Sequence, residues 1–140
     1  MVRISNLELI KLLKENSRLS FVELARHFKV SETAIRKRMK KLKEGGIIRK
    51  YTVDIDPKKI GLNVEALIGV DTEPDHYISV IEKLRNHSDV IGLSVSSGDH
   101  MIMIECWFEN TMQLTRFVKE LEAMEGVRKT CPAIITEKIK

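Results

Sequence analysis

The run Ser31–Gly45, SETAIRKRMKKLKEG, narrows the choice of fold more than any other stretch. Ala34, Ile35, Met39 and Leu42 recur at helical spacing, so the run forms one amphipathic helix with a single apolar stripe. Arg36, Lys37, Lys40, Lys41 and Lys43 crowd the rest of its surface, with Arg38 at the edge of the stripe. Six cations within eight residues repel one another unless an anion answers them. The stripe must pack against a partner. The charge is then either a solvated basic face or a surface for a polyanion, and the neighbouring segments decide between the two.

Those neighbours are two more capped helices. Ser5 followed by Glu8 is a capping-box pattern that starts a helix. Leu7, Ile10 and Leu13 mark its expected inner face, Leu9 and Leu12 widen it, and Asn16–Ser17 stop it. Ser20 followed by Glu23 is a second capping box, opening a short helix with Phe21, Leu24, Ala25 and Phe28 inward. Lys29 and Val30 bridge to Ser31, a third N-cap. The basic helix ends at Gly45–Gly46, where glycine supplies a left-handed cap.

Two helices joined by a short turn, the second of them basic, have helix-turn-helix spacing. The small Ala25 lets them approach closely. The N-terminal turn of the basic helix then enters the major groove of double-stranded DNA. Ser31, Glu32, Thr33, Arg36 and Lys37 are the candidates to reach bases or nearby phosphates. Lys40, Lys41 and Lys43 lie further along and meet phosphates. The alternative is a three-helix packing module with a basic exterior. After the glycines, IIRKYTVDID alternates apolar and polar residues and reads as a strand. It carries Arg49 and Lys50 as added phosphate contacts.

Charge supports a division of labour. Residues 1–60 carry 16 Lys+Arg and 7 Asp+Glu, a balance of +9; residues 61–140 carry 8 and 13, a balance of −5. The first half suits a polyanion and the second would be repelled by one. Asp56–Pro57 begins a turn, and Lys58 to Gly61 make a short linker. The expected organisation is a helix-turn-helix domain over 1–50, strand and linker over 51–61, and a second domain over 62–140. No apolar run approaches the roughly 18 residues of a membrane helix. The N-terminus is too charged for the apolar centre of a signal peptide. A cytoplasmic protein without a membrane partner is expected. Cys106 and Cys131 stand far apart without a CxxC pattern, so small buried residues are expected rather than a disulfide.

In the second half the predicted order is strand Val64–Asp71, helix Tyr77–Asn86, strands Val90–Ser97 and Met101–Phe108, helix Thr111–Met124, and a last strand within Val127–Ile139, interrupted or bent near Pro132. This βαββαβ order is the ferredoxin-like arrangement, with both helices on one face of an antiparallel sheet. The other face is not polar. Ile102, Ile104, Cys106 and Phe108 share one side of their strand; Met101, Met103, Glu105 and Trp107 share the other. An exposed face with Leu67, Met101, Met103 and Trp107 is a liability in a monomer. A second copy covering it, as a two-fold dimer, is the expectation. A loop or the N-terminal module is the other candidate cover. A dimer also presents two basic helices to a pseudo-palindromic DNA site.

The turn Ser96–Ser97–Gly98–Asp99–His100, running into Met101, places hydroxyls, backbone amides and a carboxylate at a strand junction. These groups complement an amino-acid zwitterion, although Ser-Gly-Asp is also ordinary turn chemistry. His27, His76, His87 and His100 have no metal spacing, so no metal site is expected. With no phosphate loop and no nucleophile elbow, no enzyme or cofactor is expected.

The pattern S-x-T-A-I-R-x-R-x-x-x-L-x-x-x-G-I-I from Ser31, then Tyr51, Ile55-Asp56-Pro57 and Leu62, resembles the leucine-responsive/asparagine (Lrp/AsnC, feast/famine) regulators, archaeal members above all. VSSGDHMIMI and EGVRKTCPAII resemble their effector domain. The resemblance implies an α+β protein: an N-terminal winged helix-turn-helix followed by a βαββαβ amino-acid-binding domain. It implies dimers through the sheets, often assembled further into tetramers, octamers or larger rings, with an amino acid bound in some members between subunits near the turn after the second strand. Gly98 and Asp99 match the first part of the family's Gly-Asp-x-Asp turn. Met101 stands where its second Asp would be, which removes a carboxylate expected near the ligand. The function implied is a sequence-specific transcription regulator; the alternatives are an architectural protein that coats DNA and a metabolite sensor.

Overall fold

The computed structural model describes residues 3–140 and divides the chain into two compact units, Met1–Asp54 and Ile55–Lys140. The first unit holds α1 (Asn6–Glu15), α2 (Phe21–Phe28) and α3 (Glu32–Glu44). Each begins at a serine N-cap: Ser5, Ser20 and Ser31 accept hydrogen bonds from the backbone N–H of Glu8, Glu23 and Ala34. At Ser20 the box is reciprocal, since its own N–H donates to Glu23 Oε2 at 2.7 Å. That backbone hydrogen bond, foremost, holds the Glu23 carboxyl below its ordinary range. Lys29 makes the turn between α2 and α3 in the left-handed region, at φ 54°.

Ile4, Leu9, Leu24, Ala25, Phe28, Ile35, Met39 and Leu42 form the buried core of this unit. One expectation is corrected here. Leu7 is 65% exposed and Leu9 is fully buried, so α1 is turned from the predicted face toward the one carrying Leu9, Leu12 and Leu13. Five apolar positions spread around two turns had left that rotation open. Gly45 has φ −78°, and Gly46, at φ 72°, supplies the left-handed residue after α3. The chain then folds back: Ile48 N–H donates to the Leu42 carbonyl and Ile48 packs on the core.

The strand expected over IIRKYTVDID does not form; residues 47–55 pair with no strand among the described residues. Alternation marks a segment able to pair, but its N–H and C=O groups need a neighbouring strand, and the chain supplies none there. Ile47, Tyr51 and Val53 are consequently exposed.

The second unit opens with a single 3-10 turn, Pro57–Ile60, capped by Asp56 and closed by Gly61 at φ 89°. It continues through β1 (Val64–Thr72), α4 (Tyr77–Arg85), β2 (Val90–Val95), β3 (Ile102–Phe108), α5 (Thr111–Ala123) and β4 (Val127–Ile134). The sheet order is β2-β3-β1-β4, antiparallel throughout, which is the expected ferredoxin-like topology. Inward residues of β1 and β3, among them Ile68 and Ile104, pack with Val80 and Leu84 of α4 and Leu114, Phe117 and Leu121 of α5. Cys106 belongs to this core, and burial pushes its thiol up to about 12. β4 lies within the predicted range, runs through Pro132 and stops at Ile134. An edge strand tolerates a residue with no N–H to donate.

Candidate nucleic-acid interface and effector site

The basic helix divides its cations into two groups. Arg36 is engaged within its own unit: Nη2 lies 3.1 Å from Glu32 Oε1, one helical turn back. Its guanidinium also stacks 5.2 Å from the centre of the Phe21 ring. Lys40 pairs with Glu44 at 3.8 Å, and Lys43 lies over the Tyr51 ring at 5.5 Å. Lys37 and Lys41 have no carboxylate within ion-pair distance among the described residues. Ser31 is used as the cap, while Glu32, Thr33 and Arg49 are exposed. The solvent side of α3 therefore presents Thr33, Lys37, Lys40 and Lys41, with Arg36 drawn toward α2.

In the second unit the turn candidates separate. Ser96 closes the turn: its N–H donates to the Met101 carbonyl at 3.0 Å and its Oγ donates to the His100 carbonyl at 2.6 Å. Ser97, Gly98 and Asp99 stand out in solvent. His100 turns back onto the sheet. Its ring lies over Gly69 of β1, where any side chain would collide with it. His100 Nδ1 donates to Asp71 Oδ2 at 3.1 Å, and the Met101 N–H donates to Asp71 Oδ1 at 3.0 Å. The His100 hydrogen bond, then that of Met101, holds the Asp71 carboxyl below its usual value.

Asp71 is thus a candidate residue that the sequence reading missed. A carboxylate reaches the turn from β1 although Met101 replaces the expected one. The signals were present: Gly69 inside a strand marks a close approach, and Asp71 interrupts an otherwise apolar run. Asp71, Thr72, Met101, Arg128 and Lys129 line an open depression of about 530 Å³. One carboxylate and two cations border it, with Thr72 Oγ1 buried and without a hydrogen-bond partner among the described residues.

On the outer sheet face, Leu67 is 39% exposed and Met103 and Trp107 are half-buried. Met101 stands apart from these three, its side chain packing against the domain core.

Two family models match the chain. Residues 3–49 match one described as winged helix-turn-helix DNA-binding, and residues 65–140 match the Lrp/AsnC ligand binding domain. The transcriptional regulator LrpA of Pyrococcus horikoshii is 43% identical over 133 residues, covering 94% of each chain.

The chain belongs to the Lrp/AsnC family.

LrpA of Pyrococcus abyssi is 42% identical over the same length. Escherichia coli AsnC superposes with a TM-score of 0.82 at 26% identity, covering 99% of this chain and 95% of that one. The Neisseria meningitidis regulator NMB0573, solved in complex with L-Met, shares the fold with a TM-score of 0.87 at 23% identity, covering 99% and 93%. As a member of the Lrp/AsnC family, the chain is a helix-turn-helix transcriptional regulator with a ligand-binding domain. Among the described residues, no helix is long and apolar enough to cross a membrane.

Proposed function

We propose that this Lrp/AsnC protein works as a two-fold dimer that reads a pseudo-palindromic DNA site and answers to an amino acid. The carrying observation is the solvent side of α3, where Lys37 and Lys41 have no carboxylate partner among the described residues. A duplex supplies the missing anions. Division into a DNA-reading part over 1–50, a linker over 51–61 and an effector and pairing part over 62–140 goes with this reading. Leu67, Met103 and Trp107 supply the apolar centre of the pairing face. The role is regulatory rather than catalytic, and its DNA ligand suits a cytoplasmic location.

The effector proposed is an α-amino acid in the depression beside Asp71. Its ammonium would meet the Asp71 carboxylate, and its carboxylate Arg128 or Lys129. The mixed charge of that lining supports this reading, as does the L-Met bound by the Neisseria relative.

A second reading, DNA coating with little sequence preference, draws support from Arg36. Its guanidinium is engaged by Glu32 and Phe21, so the side chain best suited to read guanine must leave those contacts to do so. Selection of sites from random DNA, followed by competition between the best site and random duplex, separates the two. The same complex is titrated calorimetrically with the twenty amino acids. A regulator prefers its selected site by a thousandfold or more, on the order seen for specific binders. Equal competition would favour the coating reading and overturn site-reading.

A further inference from the structure

The flank of α3 facing the N-terminal segment carries a groove of about 590 Å³ that none of the sequence candidates explains. Arg3, Lys37, Arg38 and Lys41 wall it, and Ile4 and Ala34 lie in its floor. No carboxylate lines it. Elsewhere on the same helix Arg36 and Lys40 are each answered by a glutamate one turn away and Lys43 lies over the Tyr51 ring, so the helix cations without such a partner gather on this flank. Arg38 is nevertheless held: its Nη1 donates to Asn6 Oδ1 in the first turn of α1 at 3.0 Å. Asn6 is neutral, so it fixes the guanidinium fork without cancelling its charge. Ile4, only 7% exposed, anchors the N-terminal segment to the core and places Arg3 beside the groove.

Four cations brought together without an anion repel one another, and a bound anion relieves this. The apolar floor limits what that anion is. A free inorganic ion needs no apolar contact, whereas a nucleic-acid backbone alternates charged phosphates with apolar sugar edges. We propose that this groove seats the sugar-phosphate backbone of the DNA strand bordering the major groove entered by α3, with Arg3 and Arg38 as phosphate-positioning residues. The proposal rests on the DNA-binding reading above. Lys37, at the border between groove and solvent face, then belongs to the backbone contacts more than to base reading.

The test uses the full chain and fluorescence anisotropy on the selected duplex and on a random one, across a salt series. Arg3→Gln and Arg38→Gln should each lower affinity roughly tenfold at low salt, by the same factor on both duplexes. Each should also flatten the slope of log K against log salt by about 0.9 for every phosphate that the variant no longer neutralises. Arg38→Lys, which keeps the charge, should keep the slope, and a purely structural role for Arg38 would not move it. Arg3 is exposed, so its variant keeps the fold and the test stands even if the Arg38 variant unfolds. Unchanged affinity and slope in Arg3→Gln would overturn the proposal while leaving the DNA reading intact. A wild-type chain that binds no duplex at low salt would overturn both. Inorganic phosphate that binds the wild-type chain at low millimolar concentration, is lost in Arg3→Gln, and leaves DNA affinity unchanged beyond its ionic-strength effect would assign the groove to a free anion and overturn the backbone seat.

Discussion

Asp71 shows how much one side chain can matter without a motif to mark it. It accepts hydrogen bonds from His100 Nδ1 and the Met101 N–H, and it ties β1 to the turn ahead of β3. Its side chain is only 24% exposed, so solvent screens the pair weakly. Because these bonds depress the folded-state carboxyl, the unfolded chain binds the proton more tightly. The stabilisation is therefore fully present above the ordinary carboxyl value, about 4, and is lost as the pH falls through the lower folded value. Asp71→Asn should lower the melting temperature at pH 7, and the gap from wild type should narrow as the pH falls below about 4. Thermal melts by circular dichroism across that window check this; a constant gap would mean that the Asp71 charge contributes nothing. Gly69 and the break in the apolar run marked the place of Asp71, but no local pattern revealed its partners, which lie about thirty residues away in sequence.

At the scale of elements, the sequence was legible where the cause is local. Three serines followed by helical stripes specify three helix starts, since a cap and its N–H partner lie within one turn. Ser20→Ala removes the acceptor for the Glu23 N–H and should cost about 1 kcal/mol of stability, read from denaturant unfolding of the first unit. A loss below a few tenths would show that the box contributes little in this context. Legibility failed where the cause is distant. The rotation of α1 that favours Leu9 over Leu7 depends on what α2 and α3 offer it. The alternation in residues 47–55 was real, but no strand lies beside it among the described residues. The βαββαβ order was readable because each strand and helix carries its own period. The pairing register, which brings Asp71 near the turn, was not.

At the scale of the whole molecule, the chain combines a basic helical unit with an acidic sheet unit, and the outer sheet face carries Leu67, Met103 and Trp107. Covering such residues is favourable by about 25 cal/mol per Å² of apolar surface removed from water. Sedimentation at micromolar concentration should give a dimer or larger species. Trp107→Glu, with Leu67→Glu as a second variant, should shift it toward the 16.1 kDa monomer. A wild-type chain that sediments as a monomer would sink the pairing face. The sheet order carries one more consequence, for synthesis on the ribosome. β1 lies at the centre of its sheet, and both its partners, β3 and β4, come later in the chain. The first unit draws its core from residues 4–48. The emerging chain therefore completes its helix-turn-helix while β1 still waits for the strands on either side, so the part built to meet DNA matures before the part built to govern it.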